Sequence, residues 1–295
     1  MSHIIITGAT GAIGSAIVRE AVQQKYEVTA IVHRNSARKN NIPLGKNIHV
    51  VECNIDEYPS LNIEKADVFM HLAWNKTFGT LRDDVDVQLK NIQYTLDAVR
   101  LAKRCGCSVF IGAGTQAEYG VQKVPLTPEL PVQPESGYGI AKFTAGKLSA
   151  MLCRQLCIRF NWFRILSVYG RNDGENSLIS YVIRELKNGR TPELTPCEQL
   201  WDYLYSDDAA RAFLAAAEKG LDGKIYPLGS GNGRRLSEYI TDIQKIINPN
   251  VQLGFGKKSY YPHQPMHLVA DISEFTADTG WTPWVKFEDG VKKLV

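Results

Sequence analysis

Short apolar runs alternate with amphipathic stretches through the first half of the chain. Apolar runs of strand length predict β-strands at residues 4–7, 27–32, 48–52, 67–72, 108–113 and 162–166. Apolar residues at helical spacing predict intervening helices at residues 14–23, 85–104 and 137–157. This alternation predicts an α/β fold, because parallel strands need crossover connections, and these cover both faces of the sheet.

The pattern changes after Gly170, where prolines separate shorter helices and isolated strands. We interpret residues 1–170 as the main domain, with a segment at about residues 203–219 that returns to it as a strand and a helix. Residues 171–295 are then a smaller α+β C-terminal domain for substrate binding. A chain of 295 residues is long enough for this arrangement.

A glycine-rich loop joins the first predicted strand to the first predicted helix. Residues 7–14 read Thr-Gly-Ala-Thr-Gly-Ala-Ile-Gly. Gly8 allows a tight turn, Gly11 lets the backbone approach a pyrophosphate, and Gly14 lets the helix pack closely on the strand, while the helix N-terminus supplies amide donors. The loop therefore predicts a Rossmann-type, doubly wound parallel sheet that binds a nicotinamide dinucleotide. The loop residues predicted to contact the cofactor are Gly8, Thr10, Gly11, Ala12 and Ile13.

The end of the second predicted strand bears on the choice of cofactor. NAD-binding folds usually place Asp or Glu there, to accept a hydrogen bond from the ribose 2′-hydroxyl. Here the strand ends Val32-His33-Arg34, with Arg38 and Lys39 just beyond and no carboxylate. A guanidinium can form a bidentate pair with a 2′-phosphate, so we assign His33 and Arg34 to the cofactor site and favour NADP, with NAD as the alternative. Solvated loop cations are the competing interpretation.

The candidate catalytic residues lie on the third predicted helix and after the fifth predicted strand. Residues 138–142 read Tyr-Gly-Ile-Ala-Lys, and positions four apart share a helix face, so Tyr138 and Lys142 point into one cleft. The ordinary pKa of tyrosine is about 10, and a neighbouring ammonium lowers it toward the range that acid–base catalysis needs. Thr115 follows the fifth strand, at the edge where parallel sheets bind ligands, and can hydrogen-bond the reacting oxygen.

Composition and charge narrow the range of partners. Apolar residues make up 44% of the chain and charged residues 22%, as in an average soluble protein. A net charge of +3 gives no reason to expect a nucleic-acid or membrane partner. We see neither a basic leader nor an apolar run long enough to span a membrane. The six cysteines lack the spacing of metal ligands, so we expect reduced thiols, no metal site and a cytoplasmic location.

The glycine loop, Thr115 and the Tyr138-x-x-x-Lys142 motif together resemble the extended short-chain dehydrogenase/reductase family. The resemblance is to its NAD-dependent epimerase/dehydratase group, which acts on nucleotide sugars. Further similarities run along nearly the whole chain and comprise His71-Leu72-Ala73, Asn91, the segment from Arg164 to Gly170, Tyr205-Ser-Asp207-Asp208-Ala, and Gly280-Trp281-Thr-Pro283.

The resemblance also implies roles for residues that spacing alone does not identify. Leu72 and Ala73 are expected to line the cofactor site beside the fourth strand. Asn54 and Ile55 occupy the pair that contacts adenine, with Asn54 in place of the usual Asp. Lys142 is expected to hold the nicotinamide ribose in addition to tuning the catalytic tyrosine.

Two departures from the family pattern narrow the activity. In the family's 4,6-dehydratases an Asp and a Glu that carry the elimination follow the active-site Thr, and here Gln116 and Ala117 stand there. Trp201 stands where many members carry an arginine that grips the nucleotide diphosphate, and Arg234 and Arg235 are candidate replacements. The residues assigned to substrate binding are Trp74, Gln116, Asn176 and Trp201.

The resemblance implies hydride transfer between C4 of a nicotinamide and a carbinol or keto carbon of a nucleotide-activated sugar. The missing elimination carboxylates fit both reduction and epimerisation. The cationic second-strand end favours a 4-ketoreductase of deoxysugar biosynthesis, because reductases consume NADPH. The alternatives are a nucleotide-sugar 4-epimerase, a reductase of a small non-nucleotide carbonyl compound and a non-catalytic dinucleotide sensor, which would need neither Tyr138 nor Lys142. The sugar, the base and the oligomeric state stay open, with a homodimer as the working expectation.

Overall fold

The computed structural model describes residues 2–261 and 264–295. The strands of this part of the chain are β1 (His3–Thr7), β2 (Glu27–Val32), β3 (Ile48–Glu52), β4 (Val68–His71), β5 (Val109–Ala113), β6 (Arg159–Ile165), β7 (Ser167–Tyr169), β8 (Leu200–Trp201), β9 (Tyr203–Tyr205), β10 (Lys224–Leu228), β11 (Arg234–Arg235) and β12 (His267–Leu268). Seven of them form one sheet in the order β10-β6-β5-β4-β1-β2-β3, and every neighbouring pair is parallel. The predicted α/β, doubly wound fold class is confirmed.

Helices cover both faces of this sheet. The α-helices are α1 (Ala12–Gln23), α2 (Val85–Arg104), α3 (Gly137–Gln155), α4 (Leu178–Lys187), α5 (Ser206–Lys219), α6 (Leu236–Ile247), α7 (Ser273–Thr279) and α8 (Phe287–Lys292). Ile4 and Ile6 of β1 pack into the core beneath α1 and α5, whereas Ile5 packs into the core beneath α2 and α3. The near-continuous apolar runs of the strands follow from this burial on two sides. None of the helices in the described ranges has both the length and the apolar character that a membrane crossing requires.

The C-terminal part of the chain has its own small sheets and its own apolar core. β8 pairs antiparallel with β11 and parallel with β12, and β7 pairs parallel with β9. A separate apolar cluster joins α4, α6 and α8 around buried residues such as Val182, Ile240 and Val291. This mixture of short strands and helices gives the smaller part an α+β character.

The part of the chain that returns to the large sheet extends beyond the predicted residues 203–219. β9 pairs with β7 rather than with the large sheet, α5 packs beside α1, and β10 then adds the edge strand next to β6. The sequence signal for β10 is weak, because the strand is short and contains Pro227, which its edge position tolerates.

β6 begins earlier than the predicted residues 162–166. Its first residues include Arg159 and Asn161, whose polar side chains hid the strand from a hydrophobicity pattern. The side-chain nitrogen of the buried Asn161 donates to the carbonyl oxygen of Leu221 at 2.6 Å, so this donor has a specific partner in the turn before β10.

Asp208 joins two of the segments that carry the sequence resemblance. Its buried carboxylate accepts hydrogen bonds from the backbone amides of Trp284 and Val285 at 3.1 and 2.9 Å. The indole of Trp281 donates to the Asp208 carbonyl oxygen at 3.2 Å. The segment after Gly280 is therefore held on the N-terminal end of α5, which explains why both motifs matter to the fold.

Candidate active site

The glycine loop between β1 and α1 is a tight turn pressed against the end of β4. Gly8 has a φ of +69°, and a Cβ on it would lie 2.8 Å from the backbone nitrogen of Ala73. A Cβ on Gly14 would collide with the carbonyl oxygen of Gly8. Only glycine satisfies these conditions. The N-cap of α1 is Gly11, which supplies no capping side chain, so the first amides of the helix remain available for a phosphate.

A cavity of about 660 Å³ extends from the glycine loop along the ends of β2 and β4. Its size is in the range of cofactor sites. The predicted cofactor residues that line it are Gly8, Thr10, Gly11, Ala12, His33, Ile55, Leu72 and Ala73. Ile13 lines the adjoining catalytic cavity instead. The fold thus brings four separate segments of the sequence onto one elongated surface.

Arg34 does not line this cavity. Its Nε and Nη2 atoms donate to the two carboxylate oxygens of Glu57 at 3.1 and 3.2 Å. Arg38 lines the cavity together with His33 and Ser36. The cation that the structure brings to the cofactor surface is therefore Arg38, four residues beyond the one that the sequence indicated.

Asn54 lies beside the cavity and is not among its lining residues. Its backbone amide donates to Glu57 Oε2 at 2.7 Å, and its buried side-chain oxygen has no hydrogen-bond partner. Because Asn54 does not line the cavity, the fit to a dinucleotide rests on the free N-terminus of α1 and on the glycine loop.

Thr115, Tyr138 and Lys142 line one cavity of about 320 Å³, together with the glycine loop. Tyr138 and Lys142 lie one turn apart on α3, and Thr115 directly follows Gly114 at the end of β5. The ammonium of Lys142 is buried and donates to the Ala113 carbonyl oxygen at 2.5 Å. The structure therefore brings the three predicted catalytic residues together beside the predicted cofactor loop.

The surroundings of Thr115 determine what its hydroxyl can do. Thr115 is extended and caps a short 3-10 turn, Gln116–Glu118, with its Oγ accepting from the Ala117 amide at 3.2 Å. Its own amide donates to Glu118 Oε1 at 2.9 Å. Because Oγ accepts from the backbone, its proton can be donated to an oxygen in the cavity, and in this structure that oxygen is the hydroxyl of Tyr138.

Burial dominates the electrostatics of the Tyr138 and Lys142 pair. The expectation that Lys142 lowers the pKa of Tyr138 is not met, because desolvation raises that pKa to about 12. A hydrogen bond with Thr115 and the charge of Arg82, rather than Lys142, oppose the rise. The Arg82 guanidinium lies 5.0 Å from the centre of the tyrosine ring. Desolvation also lowers the pKa of Lys142 to about 7, opposed by the negative charge of Glu118. Near neutral pH the phenol is therefore protonated, and the lysine is poised between its two forms.

Trp74 covers the catalytic lysine. The ammonium of Lys142 lies 3.9 Å from the centre of a Trp74 ring, and the indole meets the Tyr138 ring edge-on at 6.0 Å. Its Nε1 donates to the Gln88 side-chain oxygen at 2.9 Å, which fixes the ring. Trp74 lines both the cofactor cavity and the catalytic cavity.

A third cavity, of about 670 Å³, lies between the large sheet and the C-terminal part and is lined by Asn176 and Trp201. The Trp201 indole donates to Ser167 Oγ at 2.8 Å. Gln116, the remaining predicted substrate residue, lines none of the three cavities described here. Arg234 is bound by Asp242 and by Glu288, so it does not replace the arginine that Trp201 displaces. The cations lining this cavity are Arg184 and Lys258.

Several residues of this region were missed by the sequence reasoning. Phe78 lines all three cavities although 87% of its surface is exposed, and nothing in the sequence marks it. Arg82 is equally unmarked. Glu118 could have been identified from the sequence, because Thr115-x-x-Glu118 matches the capping-box pattern. In the described residues no cluster of three His, Cys, Asp or Glu side chains has the arrangement to hold a metal ion.

Comparisons with known proteins bear on the family and the fold of the chain. The chain is 23% identical to the dTDP-4-dehydro-6-deoxyglucose reductase of Escherichia coli over 312 residues, which span 99% of this chain and 96% of that protein. It is similar to the structure of UDP-glucuronic acid 4-epimerase from Bacillus cereus in complex with UDP-glucuronic acid and NAD, with a TM-score of 0.86, 23% identity and coverage of 99% and 97% of the two chains.

A second solved structure, UDP-N-acetylglucosamine 4-epimerase from Methanobrevibacter ruminantium in complex with UDP-N-acetylmuramic acid, is similar with a TM-score of 0.89, 20% identity and coverage of 99% and 98%. The model of the NAD dependent epimerase/dehydratase family matches residues 4–229, well over half of the chain. The chain therefore belongs to the NAD-dependent epimerase/dehydratase family.

Proposed function

We propose that the protein is an oxidoreductase of nucleotide-activated sugars, and that it reduces a 4-keto group. The observation that carries this proposal is the catalytic cavity, where the glycine loop and the Thr115, Tyr138 and Lys142 side chains face one space. That cavity shares Phe78 and Asp173 with the larger cavity toward the C-terminal part. A sugar at the catalytic centre would therefore place its nucleotide in the larger cavity, so we assign residues 171–295 to substrate binding.

The three catalytic side chains divide the work of ketone reduction. When bound, the nicotinamide supplies the hydride. Thr115 turns its hydroxyl proton toward the keto oxygen and polarises the carbonyl. Tyr138, which is protonated at neutral pH, gives its phenolic proton to the developing alkoxide. Lys142 holds the nicotinamide ribose, and its ammonium stabilises the phenolate that remains.

The same surroundings argue against dehydration. Elimination of water needs an additional acid–base pair beside the active-site hydroxyl. Gln116 and Ala117 exchange no proton. The nearby carboxylate of Glu118 is buried and already accepts from Thr115, Trp162 and Arg164, so it is unsuited to proton exchange with a substrate.

Two alternatives remain with specific support. A 4-epimerase is supported by the similarity to two structures named as 4-epimerases, one of them in complex with NAD. A reductase of a small non-nucleotide carbonyl compound is supported by Trp201, which lines the larger cavity where many family members carry an arginine that binds the diphosphate. No specific observation supports a non-catalytic dinucleotide sensor, because Thr115, Tyr138 and Lys142 line one cavity and a sensor would not need them.

An assay with defined nucleotide sugars separates these functions. We expect oxidation of NADPH with dTDP-4-dehydro-6-deoxyglucose and release of a reduced nucleotide sugar, identified by mass spectrometry. Interconversion of UDP-linked hexoses without net oxidation of cofactor would replace the proposal by epimerisation. Reduction of small free carbonyl compounds only would exclude a nucleotide substrate. Steady formation of a 4-keto-6-deoxy product from nucleotide-linked glucose would contradict the exclusion of dehydration.

We propose NADP as the preferred cofactor, with Arg38 in the role that the sequence assigned to Arg34. Arg38→Ala should weaken NADPH binding about 10- to 100-fold, the value of one or two charge-assisted hydrogen bonds, and leave NADH binding unchanged. Arg34→Ala is the matched control, since its guanidinium is paired with Glu57. Fluorescence titration of the wild type and the two variants with NADPH and with NADH, six protein–cofactor pairs in all, measures the effect. Equal affinities of the wild type for NADPH and NADH would contradict the assignment and favour NAD.

A homodimer remains a proposal that the exposed faces of α2 and α3 support. These helices lie side by side and leave Val85, Leu89, Ile140 and Met151 exposed at helical spacing. Light scattering should give the mass of two chains, and Leu89→Glu should shift it to that of one. A wild-type mass of one chain would reject the dimer.

A further inference from the structure

A buried ion pair lies directly behind the catalytic threonine. Glu118 and Arg164 side chains are only 1% and 3% exposed, and Arg164 Nε donates to Glu118 Oε2 at 2.9 Å. The other carboxylate oxygen accepts from the Thr115 amide and from the Trp162 indole, each at 2.9 Å. Three donors, one of them a guanidinium, hold this carboxylate in a single position.

Three glycines leave space for the groups that hold the Glu118 carboxylate. A Cβ on Gly114 would collide with both the Trp162 indole nitrogen and Glu118 Oε1. A Cβ on Gly112 would collide with the indole ring, and one on Gly146 would lie 2.8 Å from it. Three glycines thus make room for the indole that fixes Glu118, which indicates a built site rather than an incidental turn.

The Glu118 carboxylate and the Lys142 ammonium form hydrogen bonds with neighbouring backbone groups at the end of β5. Lys142 bonds the carbonyl oxygen of Ala113, and Glu118 bonds the amide of Thr115, with Gly114 between them. The Lys142 ammonium also lies 6.0 Å from the centre of the Trp162 ring, whose indole nitrogen bonds Glu118. The Glu118 carboxylate and the Lys142 ammonium are therefore buried groups at one strand end, where little water screens the interaction between charges.

We propose that Glu118, anchored by Arg164, is a positioning residue of the catalytic centre that keeps the Lys142 ammonium charged. It also holds Thr115 in place and contacts no substrate. The inference rests on the proposed catalytic roles of Thr115 and Lys142, although its test needs no substrate, so a failed test leaves the proposed function standing.

Other charged groups around Lys142 do not provide this counter-charge. Burial lowers the pKa of His71, at the end of β4, to about 3, so that imidazole is neutral. Tyr138, one turn earlier on α3, is protonated, and Arg82 is itself a cation. Burial alone lowers the pKa of Lys142, and Glu118 is the group that opposes the fall.

The pKa of Lys142 can be measured directly by NMR titration of the full chain labelled with [ε-¹³C]lysine, with Lys142→Met to identify the signal. Glu118→Gln keeps the shape and the acceptor oxygen but removes the charge, so the pKa of Lys142 should fall by about one unit. Glu129→Gln, which removes an exposed carboxylate, should leave it unchanged. Glu118→Asp keeps the charge and should retain most of the wild-type value.

Circular dichroism and NADPH binding confirm that each variant is folded. Should Glu118→Gln fail to fold because Arg164 is left unpaired, Glu118→Gln with Arg164→Met leaves no unpaired buried charge of this pair. Its reference is Arg164→Met alone, which also lacks the guanidinium, and the pKa of Lys142 should be lower in the double variant than in that reference. An unchanged pKa of Lys142 in the folded Gln variant, or equal values in the double variant and in Arg164→Met, would overturn the proposal and reduce Glu118 to a turn-capping residue.

Discussion

Tyr138→Phe should lower turnover by about two to four orders of magnitude, the usual contribution of a positioned acid–base group. The change removes the exchangeable proton and keeps the ring that meets Trp74 edge-on. Binding of the dinucleotide should survive, because the glycine loop is untouched. The measurement is kcat for NADPH oxidation with the nucleotide-linked ketone, together with the dissociation constant of NADPH.

The matched control for this variant is Tyr94→Phe, which removes the same hydroxyl from α2, outside the cavities described above. Its turnover should equal that of the wild type. If Tyr138→Phe retained near-normal turnover while Tyr94→Phe did the same, the phenol of Tyr138 would not be the proton donor. Loss of NADPH binding in Tyr138→Phe would instead point to a role in holding the cofactor.

Thr115→Val should lower kcat about 10²- to 10³-fold, the range found when one hydrogen-bond donor to a developing oxyanion is removed. Valine has nearly the same shape and cannot donate to the keto oxygen. Thr115 also caps the turn Gln116–Glu118, so a loss of about 0.5–2 kcal/mol in unfolding free energy is expected as well. Steady-state kinetics and thermal unfolding separate the two effects.

Thr115→Ser restores both the hydroxyl and the cap, and should recover most of the lost kcat and stability. If Thr115→Val lost stability and kept its kcat, the residue would serve the turn and not the reaction. If serine failed to restore kcat, the methyl group rather than the hydroxyl would be the essential feature.

The buried pair behind Thr115 also carries a stability consequence. Removing one partner of a buried ion pair typically costs about 3–5 kcal/mol, because the other charge stays buried without compensation. Arg164 already has one guanidinium nitrogen, Nη1, without a partner in the described structure, and stacks on the Tyr119 ring at 4.4 Å. The pair is therefore a specific arrangement, retained although an apolar pair would be cheaper to bury.

Local sequence patterns were enough to predict the strands, helices and loop that carry the candidate site. The alternation of apolar runs and helical spacing predicted β2 and α2 with the bounds that the structure has. The glycine loop was predictable because Gly8 and Gly14 answer strictly local requirements, a positive φ and a close backbone contact. The same holds for Tyr138 and Lys142, whose common face follows from helix geometry.

Side-chain pairing between distant segments was not predictable in this way. Arg34 was the nearer cation to the strand end, but Glu57, which follows β3, binds it and leaves Arg38 on the cavity wall. Arg234 is similarly held by Glu288 from α8. A charge becomes available or unavailable to a ligand only when its neighbours in space are known.

The sequence by itself determined the parallel α/β fold, and it pointed to the glycine loop and to Thr115, Tyr138 and Lys142, which line one cavity. These predictions depend on periodicity, on short motifs or on the end of a predicted strand. Only the tertiary structure decided that β10 completes the sheet, that Arg38 faces the cofactor cavity, and that Glu118 is buried behind Thr115. Those features arise from contacts between segments far apart in the chain, such as Glu118 with Arg164. Burial and charge at such contacts depend on packing, which no local pattern records.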